Sequence, residues 1–138
     1  MEQTKSNKSK LGKKSRAAGK RFELKVRAQL EREGFIVVKW SNQVDLVNNK
    51  LIQAKSKYNP FLKRVMSEGS GFPDFLCYRI KNGINNRDII GAEAKLGKYL
   101  DAEEKKKVDW LIKNKIFDEI HIYYPGKKRG EIVYDEFS

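Results

Sequence analysis

Apolar residues recur at helical spacing in SRAAGKRFELKVRAQLEREGF, where Phe22, Val26 and Leu30 form one stripe. The spacing predicts a helix that starts at Ser15, a residue able to cap a first turn, and stops at Gly34. Gly19 lies on the same side and leaves room for another backbone. The next segment, FIVVKW at 35–40, is β-branched, aromatic and too short for a typical helix, which predicts a buried strand. A hairpin is expected after it, with arms at 44–47 and 51–54 and a turn at Asn48, Asn49 and Lys50. Pro60, Gly69 and Gly71 interrupt residues 55–72, where a mobile basic loop is expected. DFLCYRI at 74–80 and DIIGAEAKL at 88–96 predict two antiparallel strands. Residues 101–114 predict a second helix, capped by Asp101, with Val108, Leu111 and Ile112 on one face. Two short strands, 119–124 and 131–137, flank the turn PGKKRG. The order αβββαβ predicts an α/β fold with helices flanking a mixed sheet.

A chain of 138 residues suits one domain with one core. Residues 1–15 carry Lys5, Lys8, Lys10, Lys13 and Lys14 among small polar residues, which predicts a disordered basic arm ahead of a domain at 16–138. No apolar run approaches the ~20 residues of a spanning helix, so no membrane partner is expected. The basic N-terminus is followed by no apolar stretch and no cleavage site, so a cytoplasmic location is expected.

Thirty Lys and Arg against 18 Asp and Glu give a net charge of +12, which favours a polyanionic partner, nucleic acid first. Charge alone does not decide this, because Lys- and Glu-rich surfaces also serve thermal stability. The single Cys77 forms no intramolecular disulfide, and with the single His121 it cannot supply a four-ligand zinc site. Any metal must therefore be held by oxygen.

The strongest local signal is GFPDF at 71–75 followed by Glu93-Ala94-Lys95 on the next predicted strand. Alternation points Glu93 and Lys95 to one face and Ala94 to the other, and antiparallel pairing brings Asp74 near Glu93. Charges at i and i+2 in an otherwise apolar strand are costly when buried, and a divalent cation would compensate them. Glu23 sits at the edge of the Phe22, Val26, Leu30 stripe, and Glu104 shares the face of Val108 and Leu111, so both acids are expected to point inward. Pro-Asp alone begins many turns, and Glu-x-Lys alone is common in so charged a chain. Asp45 with Gln53-Ala54-Lys55 is a weaker echo that lacks the proline and the second carboxylate. His121 reads as a satisfied strand residue, Trp40 as core, and Trp110 as a partner or dimer contact.

Together these residues resemble the PD-(D/E)XK nuclease superfamily, particularly small archaeal Holliday junction resolvases and related phage or virus nucleases, over about residues 16–124. The resemblance aligns Glu23 with the helix-borne acid, Pro73-Asp74 with PD, and Glu93-Ala94-Lys95 with EXK. It implies a restriction-endonuclease-like core and hydrolysis of DNA phosphodiester bonds, with structure-selective action on junctions or branched DNA. It also implies Mg²⁺ or Mn²⁺ held by Asp74, Glu93 and the Ala94 backbone carbonyl, with help from Glu23, and products ending in 5′-phosphate and 3′-hydroxyl. Lys95 would orient the attacking water or stabilise the phosphorane. Many relatives carry Gln where this chain has Glu104, an accessory position here, and a basic insertion at about 43–72 departs from the shortest resolvases. Lys13, Lys14, Arg16, Lys20 and Arg21, with Lys55, Lys57, Lys63 and Arg64, are expected to track phosphates. Relatives pair two sites to cut two strands, which implies a homodimer. A non-catalytic basic DNA-binding protein and an RNA-processing nuclease of the same fold are the competing expectations.

Overall fold

The stripe of Phe22, Val26 and Leu30 does build a helix, but a longer one than expected. In the computed structural model, which describes residues 5–54, 56–61, 63–67, 71–80, 87–97 and 99–138, α1 spans Lys5–Arg32. The disordered arm expected over 1–15 is thus helical from Lys5 onward, and Ser15 lies inside the helix rather than capping it. Lysine is a good helix former, and extending a formed helix costs far less than nucleating one. Gly34, at φ 94°, ends α1 where expected, and the Phe35 amide turns back to the Leu30 carbonyl at 3.0 Å.

Five strands form the central sheet: β1 (Ile36–Lys39), β6 (Phe75–Ile80), β7 (Arg87–Ala94), β8 (Glu119–Pro125) and β9 (Ile132–Phe137), in the order β1-β6-β7-β8-β9. All neighbours run antiparallel except β7 and β8, which are parallel and joined through α2 (Ala102–Lys113). This is an α/β architecture with a mixed sheet. The first strand departs from expectation: β1 is an edge strand, with Val37 buried but Ile36 and Val38 54% and 44% exposed. An edge position leaves part of an apolar segment facing solvent, which composition alone does not distinguish from a central strand.

Residues 42–67 form two hairpins beside this sheet. The first pairs β2 (Asn42–Asp45) with β3 (Lys50–Gln53). Its turn is closed by Asp45, whose carboxylate accepts from the backbone amides of Val47 and Asn48, both at 3.1 Å, and from the Asn48 side chain at 2.8 Å. Asp45 is therefore committed to a turn, and Lys55 lies outside the described residues. The loop expected over 55–72 contains a second hairpin, β4 (Ser56–Asn59) with β5 (Arg64–Ser67). The register sets Tyr58 opposite Val65, both residue types of high strand propensity, and Lys63 takes the positive φ, 49°, of the turn.

Alternation along the central strands divides the core between two faces. On one, α1 packs Phe22, Val26 and Leu30 against Val37, Phe75, Cys77, Ile90 and Ala92. On the other, Val108 and Leu111 of α2 pack with Val44, Phe72, Ile120 and Ile122. Trp40 sits edge-on to Phe117 at 5.1 Å, and Trp110 is half-buried in the same cluster with its indole N–H donated to Asn49. Cys77 is fully buried, and burial pushes its thiol up to about 12, so it stays protonated. Among the described residues no helix is long and apolar enough to cross a membrane.

Two glycines set the approach to Asp74. A Cβ on Gly71 would stand 2.3 Å from the Trp40 carbonyl and 2.8 Å from the Asn42 amide, both backbone atoms. One on Gly91 would lie 2.7 Å from the Pro73 ring. The missing side chains let the segment before β6 dock on β2, with Phe72 N donating to Asn42 O at 2.9 Å, and let Pro73 lie over β7. Gly71→Ala is expected to destabilise the fold by about 1–3 kcal/mol, because the clashing partners are backbone and cannot rotate away. Urea unfolding followed by circular dichroism would measure it, and an unchanged midpoint would contradict the close approach.

Candidate active site

The end of β7 and the start of β6 meet where Phe75 pairs with Ala92, so the next step of that register sets Asp74 beside Glu93. Both carboxylates are buried, at 4% and 7% exposure. Asp74 Oδ2 accepts the Ala94 amide at 2.9 Å, which ties the acid to the EAK strand directly. Alternation sends Glu93 and Lys95 towards the α2 face, while Ala94 packs on the α1 side.

Glu93 is the anomalous group. Its Oε2 is buried with no hydrogen-bond partner among the described atoms. Burial first, and then the Asp74 carboxylate beside it, push the Glu93 carboxyl well above its usual range. Lys95 opposes that rise and Glu104 adds to it. Glu23 joins from α1: desolvation raises its carboxyl, followed by the repulsion and hydrogen bonding of Asp74, while Lys39, 3.7 Å away, pulls it back down. Two acids, Glu23 and Glu93, thus gather around Asp74, and the mutual repulsion is met locally by Lys39 and Lys95.

Lys95 does not stand free. Its ammonium is paired with Glu104 Oε2. The other oxygen of Glu104 accepts the Asp101 amide at 3.1 Å, while Asp101 Oδ1 accepts the Glu104 amide at 2.7 Å, completing a capping box at the start of α2. The inward orientation of Glu104 was expected from its helical spacing. Its pairing with Lys95 was not, because it depends on how far α2 leans over the end of β7.

An unsatisfied, buried carboxylate oxygen next to a second carboxylate is what a hard divalent cation compensates, and the surrounding donors are all oxygen. Asp74 and Glu93 could hold such an ion with the Ala94 carbonyl, and Glu23 lies close enough to Asp74 to assist. A tighter set of ligand atoms exists elsewhere: those of Glu119, His121 and Glu136, all within 4.8 Å of one another across β8 and β9. The set's imidazole is already engaged, with His121 Nε2 at 2.9 Å from Glu119, its Nδ1 at 3.4 Å from the Tyr123 hydroxyl, and its ring stacked on Tyr134. Its compactness therefore carries less weight than the unmet demand at Glu93.

The basic residues expected to track phosphates divide unevenly. Lys14, Arg16, Lys20 and Arg21 are exposed along α1, on which Lys13 also lies. Lys63 is exposed in the second hairpin, Lys57 and Arg64 belong to its two strands, and Lys55 is outside the described residues. Sequence reasoning passed over Lys127, Lys128 and Arg129, which face α1 across a cleft. The run of three cations in PGKKRG was a visible signal, read only as a turn. Set against known proteins, the chain matches no family model, no curated protein and no solved structure.

Proposed function

We propose that this chain is a divalent-metal-dependent nuclease of the PD-(D/E)XK type that hydrolyses phosphodiester bonds in DNA. The observation that carries the reading is the buried, unpartnered Oε2 of Glu93 beside Asp74, two residues before a lysine aimed at the same end of the sheet. The finer fold reading, a restriction-endonuclease-like core, draws on the mixed sheet, in which the two strands bearing the acids are adjacent and helices cover both faces. The net charge of +12 fits a polyanionic substrate.

In this reading Asp74, Glu93 and the Ala94 carbonyl hold Mg²⁺ or Mn²⁺, and Glu23 steadies the arrangement from α1. The ion, when bound, would acidify a water and neutralise charge on the scissile phosphate. Lys95, kept in place by Glu104, supplies a positive charge to the non-bridging oxygens as the attacked phosphorus gains its fifth ligand. The raised carboxyls of Glu23 and Glu93 must lose their protons for the ion to bind, so metal affinity is expected to rise with pH above the usual carboxylate range.

The test is cleavage of supercoiled plasmid, linear duplex, four-way-junction DNA and a matched RNA hairpin with Mg²⁺, Mn²⁺ or EDTA. Metal-dependent cleavage of one or more DNA substrates is expected. Salt-sensitive binding with no cleavage would instead identify a non-catalytic DNA-binding protein, and cleavage confined to the hairpin an RNA-processing enzyme. Sedimentation of the same protein alone and with junction DNA would show whether two copies pair their sites.

A further inference from the structure

The turn between β8 and β9 is a built feature rather than a slack connection. Gly126 N donates to the Glu131 carbonyl at 2.7 Å and Glu131 N to the Lys128 carbonyl at 3.1 Å. The Glu131 carboxylate accepts the Lys128 amide at 3.2 Å. These bonds brace the backbone that carries Lys127, Lys128 and Arg129.

On one side of the turn is a cleft of ≈ 560 Å³, closed across from it by Arg21 and Lys25 of α1. Five cationic side chains line it against the single carboxylate of Glu131, which is already engaged with backbone. Leu96 and Phe22 supply apolar walls to it. A second hollow shares Pro125, Gly126, Lys127, Lys128 and Glu131 with it, and is lined by Tyr99, Tyr124 and Asp135. Tyr99 is 82% exposed, whereas the Tyr124 hydroxyl is tied to Asp135 at 2.8 Å.

We infer that the β8–β9 turn grips an unpaired segment of a nucleic-acid strand, its phosphates in the cationic cleft and a base against Tyr99 in the adjoining hollow. Cations alone would suit any polyanion. An open aromatic face at the same turn favours a strand whose bases are free to stack, over an acidic protein or an anionic lipid surface. The inference rests on the nucleic-acid substrate proposed above.

The experiment is fluorescence anisotropy of labelled single-stranded oligonucleotide and its matched duplex with the full chain, in EDTA, across a salt series. Without metal the assay reads binding alone, so an inactive wild-type enzyme would leave its outcome meaningful. The combined variant Lys127→Ala, Lys128→Ala, Arg129→Ala is expected to weaken single-strand binding by about 10- to 100-fold and to lower the log–log salt slope by about 2. Tyr99→Ala is expected to weaken single-strand binding by about 5-fold or more while sparing the duplex. The control is Lys105→Ala, Lys106→Ala, Lys113→Ala, three exposed lysines on α2 that remove the same charge. Equal losses in the two triple variants would overturn the inference in favour of diffuse charge attraction. So would an inert Tyr99→Ala, or a triple-variant defect seen only on phosphatidylglycerol vesicles.

Discussion

Asp74→Asn is expected to reduce metal-dependent cleavage by at least about a thousandfold, roughly 4 kcal/mol of transition-state stabilisation, while leaving the protein folded. The amide keeps an acceptor for the Ala94 N–H, now made at 2.9 Å to Oδ2, so the link between the start of β6 and the end of β7 survives. What disappears is the charge at the centre of the acidic group, the one that repels both Glu23 and Glu93. Single-turnover cleavage with saturating Mn²⁺, alongside a thermal melt, separates the two effects. If the variant melts normally and cuts at the wild-type rate, Asp74 has no part in the chemistry.

Glu93→Gln is expected to move stability and function in opposite directions. The Glu93 carboxyl is raised well above its usual 4.5 by burial and by Asp74, so the folded state holds this proton more tightly than the unfolded state does. Folding then takes up a proton, and stability falls as pH climbs from the unfolded value through the folded one. Without metal at neutral pH, the wild type carries that cost and the glutamine variant does not. Removing the buried charge and its repulsion from Asp74 is worth about 1–3 kcal/mol, so the variant should melt about 3–10 °C higher in EDTA. Adding Mn²⁺ should raise the wild-type midpoint and leave the variant unmoved, because the ligand set is broken. Melting curves at pH 5 and pH 8, with and without Mn²⁺, would show the crossing. A metal-free variant less stable than wild type at pH 8 would mean that Glu93 is well compensated in the apo protein, and the argument for a cation there would fail.

Much of this candidate site was legible in the chain. Strand alternation put Glu93 and Lys95 on one face, and antiparallel pairing brought Asp74 alongside, because both follow from local geometry. The second helix was equally plain, since Asp101 and Glu104 form a capping box whose signature lies within four residues. What escaped depended on packing at longer range. The exposure of β1 reflects its place at the sheet edge, and the α1 start at Lys5 reflects propagation from a helix anchored downstream. The hairpin at β4 and β5 was hidden by Pro60, which marks the turn rather than an irregular run. The cationic cleft joins residues from opposite ends of the chain, Arg21 with Arg129, and no local pattern could announce it.

The two oxygens of Glu104 have a joint effect. One closes the first turn of α2 and the other anchors the ammonium of Lys95, so a single rigid strut runs from the helix start to the charge beside the acids. Fraying of that turn and drift of the ammonium become one motion rather than two. Any contact that tightens or loosens the Asp101 end of α2, even on its outer surface, is thereby transmitted to the position of Lys95.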